Sequence, residues 1–106
     1  MKVYISGSMT GVPDKNKERF AAAEEYLLAK GHIVLNPAIL PEGLTYQEYM
    51  SIDLAMLDAA DAIYLLRGWD KSPGASFEAL CAHNKGLQII KEYSPTHGRT
   101  VIEGWE

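Results

Sequence analysis

The chain has 106 residues, 47% of them hydrophobic, and a formal net charge of −4 at pH 7, which suits one domain with a core between two layers and leaves too little for a second. An acidic balance excludes broad binding to a nucleic-acid polymer, which needs clustered Lys and Arg to displace counterions, but permits one small anion held by backbone N–H groups. No run approaches the roughly 20 apolar residues that span a bilayer, and Met1-Lys2 opens a strand-like run rather than a signal segment, so no membrane partner is expected and the expected location is the cytoplasm.

Short β-rich runs alternate with helical patterns, the signature of βαβ units around a parallel sheet. The first strand is predicted from Lys2 to Ser6. Its Tyr4 is either a packed strand tyrosine or one whose hydroxyl reaches a pocket. Gly7-Ser8-Met9-Thr10-Gly11 follows, small enough at Gly7-Ser8 for backbone N–H groups to approach an anion. The first helix is predicted from an N-cap near Asp14, with Phe20, Ala23 and Leu27 on one face and Gly31 as a left-handed stop. A second strand, from His32 to Leu35, leads into Asn36-Pro37.

Thr45 with Glu48 three residues on is a capping-box pattern and starts a second helix that runs to about Ala60. Tyr46, Tyr49, Met50, Leu57 and Ala60 follow helical spacing and are expected to face the core, yet Asp53 falls on the same stripe. An aspartate there must be hydrogen-bonded, paired with a group such as Arg67, or poised over a cavity. The third strand is predicted from Ala62 to Leu66. In the loop that follows, Trp69 fits either stacking on a base or lying as a lid over the core.

Ser72-Pro73 starts a third helix, by capping and by proline's fit to the first turn, and the helix continues to Lys85 before Gly86. Phe77, Leu80 and Cys81 are expected to form its core stripe, with Glu78 on the flank. Helical side chains lean toward the N-terminus, which sets the Glu78 carboxyl over Gly74 and Ala75. Spacing alone also fits, and by itself favours, a surface glutamate in a good helix-forming position. A fourth strand is predicted from Leu87 to Ile90, and residues 92–106 carry no clear pattern and are set apart as a C-terminal tail from an α/β domain at 1–91.

Ligands of open parallel sheets sit beyond the carboxyl ends of the strands, which selects the loops carrying Gly7, Ser8, Asn36, Trp69, Ser72 and Gly74 as candidate binding residues. Asp61 starts its strand and so lies at the wrong edge. Neither G-x-G-x-x-G nor G-x-x-x-x-G-K-[ST] occurs, which removes the main support for a dinucleotide cofactor or P-loop chemistry. His32, His83 and His97 have no metal spacing, and the single Cys81 can form no internal disulfide. No metal and no cofactor are expected. Two carboxylates, one ionised and one holding a proton, are what glycoside cleavage through an oxocarbenium-like state requires, and Asp53 and Glu78 are expected to share a hollow with room for a pentose.

The run Tyr4-Ile5-Ser6-Gly7-Ser8, Asp53 with Asp61-Ala62-Ile63, and above all Ser72-Pro73-Gly74-Ala75-Ser76-Phe77-Glu78 with Ala82 resemble the nucleoside 2-deoxyribosyltransferase-like family, which includes deoxynucleoside 5′-monophosphate N-glycosidases. The resemblance implies a Rossmann- or flavodoxin-like three-layer sandwich with a central parallel sheet of four to five strands. It implies a small-molecule nucleoside or nucleotide as partner, Glu78 as a nucleophile that takes the deoxyribosyl group, Tyr4 as its orienting residue, and Asp53 as helper of the departing base or holder of the sugar. It further implies Ser8 and Ser72 as phosphate ligands, and a homo-oligomer. The chain departs from that pattern in being short, in carrying Thr10 where the monophosphate glycosidases have a basic residue, and in lacking an evident fifth strand. A non-catalytic nucleotide-binding or sensing module, and a structural protein in which Asp53 and Glu78 are satisfied polar groups, are the alternatives.

Overall fold

Two short apolar runs buried on both faces form the middle of the sheet. β1 (Lys2–Ser6) is buried from its second residue and β3 (Ala62–Leu65) throughout, as expected of strands covered by helices on either side. The computed structural model describes residues 1–9, 11–94 and 99–103. β2 (Ile33–Leu35) and β4 (Gln88–Ser94) complete four parallel strands in the order β2-β1-β3-β4. Tyr4 pairs in register with Ile63, and Ser6 with Leu65.

The chain winds outward from this centre in both directions. α1 (Lys17–Ala29) packs Phe20, Ala23 and Leu27 against Val3, Ile5, Ala62 and Tyr64 on one face. α2 (Tyr46–Ala59) and α3 (Pro73–Asn84) cover the other, where Leu57, Ala79 and Ala82 meet Tyr4, Ile63, Leu65 and Ile89. This is the expected three-layer α/β sandwich of flavodoxin-like order. Its winding reverses between β1 and β3, so a crevice opens beyond their carboxyl ends.

Several local signals behave as the sequence predicts. Thr45 Oγ1 accepts from the Glu48 N–H at 3.1 Å while Glu48 Oε1 accepts from the Thr45 N–H at 2.8 Å, closing the capping box. Ser72 Oγ accepts from the Ala75 N–H at 3.2 Å and starts α3. Gly31 takes a φ of +86° after α1.

Other elements differ. α1 starts at Lys17, because Asp14, Lys15 and Asn16 all take positive φ in a short 3-10 turn, Pro13–Asn16. Leu80 and Phe77 do not face the core; they are 52% and 48% exposed, and α3 instead buries Ala75, Glu78, Ala79 and Ala82. Small residues on that face let the helix axis approach the sheet, which bulky ones prevent. The outer half of the α2 stripe differs too: Tyr46 is 63% exposed, and Tyr46, Tyr49 and Met50 line a hollow instead of entering the core. β4 runs on to Ser94, and a fifth strand, β5 (Arg99–Glu103), pairs antiparallel with it, where the sequence shows no strand pattern. Thr10, His97 and, of the tail, residues 95–98 and 104–106 lie outside the described residues. No helix among the described residues is long and apolar enough to cross a membrane.

Replacing Ala79 by Leu forces extra volume between α3 and β3 and is expected to cost about 1–3 kcal/mol, read as a lowered Tm in thermal unfolding of the full chain.

Candidate active site

Strand side chains alternate, so Tyr4 and Ser6 of β1 point to the same face, the one α3 covers. α3 begins at Pro73, which puts Glu78 between its first and second turns, on the side that meets that strand. The three side chains converge. Tyr4 Oη donates to Glu78 Oε2 at 3.0 Å, and Ser6 Oγ donates to Glu78 Oε1 at 2.6 Å. Tyr4 is fully buried, Ser6 is 1% exposed and Glu78 is 5% exposed. A surface glutamate, the other possibility open from spacing, is therefore excluded.

Above this carboxyl opens a hollow of about 690 Å³, within the size range of small-ligand sites. Its floor is Tyr4, Ser6 and Glu78, α2 contributes Tyr46, Tyr49, Met50 and Asp53, and the loops contribute Gly7, Ser8, Ser72 and Gly74. Asp53 does not pair with Arg67. The Arg67 N–H donates instead to Glu92 Oε1 at 2.7 Å. Asp53 lines the same hollow as Glu78 and is electrostatically coupled to it, and its Oδ1 is buried without a hydrogen-bond partner among the described residues.

Burial disfavours charge on both acids. It pushes Glu78 up to about 7, a rise that the Ser6 hydroxyl opposes and the neighbouring Asp53 charge adds to. Burial likewise pushes Asp53 up to about 6, while its hydrogen bond with Glu78 pulls the other way. The pair therefore loses its protons in coupled steps and carries a single proton over part of the range near neutrality. Tyr4 is held well above its ordinary value by burial and then by the Glu78 charge, so it remains a hydrogen-bond donor.

Of the residues singled out in the sequence, Tyr4, Gly7, Ser8, Asp53, Ser72, Gly74 and Glu78 line one hollow. Gly7 also has a packing reason, because a Cβ there would lie 2.7 Å from Leu66 Cδ1 and 2.8 Å from Leu66 Cβ. Two residues are not brought in. Asn36 spends both ends of its amide elsewhere, accepting from the Ala38 N–H and donating to Glu24 Oε1, each at 2.9 Å. Trp69 packs against the core on the α3 face of the sheet. Asp61 lies at the opposite edge, where Oδ2 accepts from the Lys2 N–H at 2.9 Å. Among the described residues no group of three or more His, Cys, Asp or Glu could hold a metal ion.

Among the polar side chains of the hollow, Ser6 and three lysines escaped the sequence reading. Ser6 was detectable from strand periodicity, two residues from Tyr4. Lys15, Lys17 and Lys71 also line the hollow, none of them in an ion pair among the described residues. The Lys15 Nζ stands 5.0 Å from the centroid of the Tyr49 ring. Lys15 and Lys17 flank the start of α1 and Lys71 precedes α3, and no local sequence pattern unites the two places.

A family model described as "Domain of unknown function (DUF4406)" matches residues 1–91. No curated protein matches the chain in sequence. Among solved structures, the chain is similar to a 2-deoxyribosyltransferase from Bacillus psychrosaccharolyticus, at 18% identity over 86% of this chain and 71% of that one, with a TM-score of 0.67. It is similar to the CMP N-glycosidase BcmB of Clostridium botulinum at 22% identity, covering 86% and 67%, with a TM-score of 0.62. A 2-deoxyribosyltransferase from Leishmania mexicana gives 19% identity over 97% and 75%, with a TM-score of 0.67. At these identities the likeness is one of fold, and the fold is the one the sequence resemblance implies.

Because Glu78 is harder to ionise folded than unfolded, the chain should lose stability as pH rises from about 4.5 toward 7. Glu78→Gln removes that dependence, so its stability relative to the natural chain is expected to improve on going from pH 5 to pH 8 by on the order of 1–3 kcal/mol; parallel denaturant titrations at the two pH values measure it.

Proposed function

The chain belongs to the DUF4406 family, and from the acids in its hollow we propose that it is an enzyme that cleaves or transfers the N-glycosidic bond of a deoxynucleoside or, by preference, a deoxynucleoside 5′-monophosphate. The observation that carries this reading is Glu78, buried with a hydroxyl donor on each oxygen and facing both a second carboxyl and an open hollow. Burying a carboxyl carries a desolvation cost, and perturbed acids in a cleft mark sites where chemistry uses them.

In the proposed reaction Glu78 attacks C1′ of the sugar through an oxocarbenium-like state. Near neutrality the proton that the pair shares must first pass from Glu78, the harder of the two to ionise, to Asp53; the C1′–N bond then breaks, its electron pair leaves with the base, and Asp53 supplies that proton to neutralise the base. Water or a second base then attacks C1′ of the glycosyl ester, its proton passes to Asp53, and Glu78 is released as carboxylate.

The preference for a monophosphate is supported by the rim. Lys15, Lys17 and Lys71 border the same hollow as Ser8 and Ser72, in a chain whose net charge is negative. The CMP N-glycosidase similar in fold agrees with that choice. A homo-oligomer in the cytoplasm belongs to the same proposal, and the exposed Phe77 and Leu80 of α3 offer apolar surface for such an assembly.

Incubation with a panel of deoxynucleosides and their 5′-monophosphates should release free base, and Glu78→Gln should reduce kcat by at least about 10³-fold with ligand binding retained. A Gln variant as active as the natural chain sinks the nucleophile assignment. Lys15→Gln combined with Lys71→Gln should lower kcat/KM for monophosphates by about 10-fold or more, each lost charge contact with phosphate contributing about 1.5–3 kcal/mol at most, with little change for nucleosides. Equal losses on both substrate classes would show that the rim does not read phosphate.

A further inference from the structure

We propose that Ser6 is a positioning residue for Glu78, fixing the plane of the attacking carboxylate through a hydrogen bond to Oε1. The inference deepens the glycosidic reading given above and rests on it. Three observations support it.

The bond is short, 2.6 Å, in the range of hydroxyls that donate to an ionised carboxylate. The Tyr4 bond to Oε2 is longer at 3.0 Å, so Ser6 is the closer of the two holders. The hydroxyl is sealed from water at 1% exposure, so no solvent donor replaces it when it is removed. The two donors also act on different oxygens. One donor alone leaves the carboxyl free to turn about its Cγ–Cδ bond, whereas two, both rooted in the rigid strand β1, fix its plane and direct the remaining lone pairs into the hollow. A reacting oxygen held in this way spends less of the barrier on orientation.

The charged and titratable groups that line the hollow with Glu78 are Tyr4 from β1, Asp53, Tyr46 and Tyr49 from α2, Lys15 from the turn before α1, Lys17 at the start of α1, and Lys71 before α3. Asp53 raises Glu78, by its charge and by its hydrogen bond. The Ser6 hydroxyl is the largest influence in the opposite direction, ahead of Tyr4. Loss of Ser6 must then make Glu78 harder to ionise, and the acid limb of activity must move to higher pH.

The test uses Ser6→Ala, Ser6→Cys and Ser6→Thr in the full chain, with two readouts. The first is the pH profile of kcat and KM for base release. The second is the titration of the Glu78 carboxyl followed by ¹³C NMR, with Glu78→Gln used to assign its signal. Ser6→Ala is expected to lower kcat by about 10- to 100-fold near pH 6 with KM within about threefold, and to raise both the acid limb and the NMR titration by about one unit. Ser6→Cys keeps the volume with a weaker donor and should shift in the same direction, which decides the matter if the Ala variant does not fold. Ser6→Thr retains the hydroxyl and should restore the natural profile. Unchanged titration in the Ala or Cys variant, or a Thr variant as impaired as Ala, overturns the role. If the natural chain releases no base from any substrate, the glycosidic reading falls, while the NMR titration still decides whether Ser6 controls the ionisation of Glu78.

Discussion

A carboxyl group buried against two strand hydroxyls is the constraint around which this small fold is arranged. Glu78 sits on the face of α3 that meets the sheet, a place where an isolated carboxylate would cost several kcal/mol, and Tyr4 and Ser6 offset part of that cost by donating one hydrogen bond to each oxygen. The contact needs α3 to lie close to β1. Ala75, Ala79 and Ala82 on the same face permit the approach, and the Ser72 cap with Pro73 after it fixes where the helix starts, so that Glu78 meets the carboxyl half of β1, from Tyr4 to Ser6. The positive end of the α3 dipole is near as well, which favours negative charge there.

The hollow above this contact has two electrostatic ends. Its floor carries two acids that resist ionisation, and its rim carries Lys15, Lys17 and Lys71. The rim is built at a conformational cost. Asp14, Lys15 and Asn16 are three successive non-glycine residues at positive φ, a conformation that costs roughly 1–2 kcal/mol per residue, and the turn is held by the Asn16 side chain donating to the Ser8 carbonyl at 3.1 Å and by Lys15 over Tyr49. Strained backbone of this kind tends to gather at ligand sites. The floor has less freedom, since Gly7 passes so close to Leu66 that no side chain fits there.

Much of this could be seen in the sequence, and what could not has identifiable causes. Strand and helix order, the capping box at Thr45, the stops at Gly31 and Gly86 and the start at Ser72 depend on near neighbours, so local signals suffice for them. The stripe of α3 was misjudged because hydrophobic periodicity favours the largest apolar residues, Phe77 and Leu80, whereas close packing selected alanines, which carry little weight in such a pattern. The turn at Asp14 looked like a helix cap because aspartate usually is one, and nothing local announces a left-handed run. β5 was missed because its pairing with β4 is a tertiary contact across a segment rich in Pro and Gly. Within the site, Asp53 announced itself by breaking an apolar stripe, while the three lysines are joined only by the fold.

The coupling between Asp53 and Glu78 also gives a chemical reason for two acids in a place where stability would be better served by apolar side chains. Two coupled carboxyls, both pushed upward by burial, lose their protons in separate steps, so near neutrality the pair offers one negative charge and one proton within the same hollow. The donors are distributed unequally: Glu78 has two, whereas Oδ1 of Asp53 has none among the described residues. Any event that draws charge onto Glu78 is therefore favoured by hydroxyls already in place, and Asp53 is the acid coupled to it that can take the displaced proton. A nucleophile and its matching acid arise in this way from one shared proton and an asymmetric set of hydrogen bonds, with no metal or cofactor required in the proposed reaction.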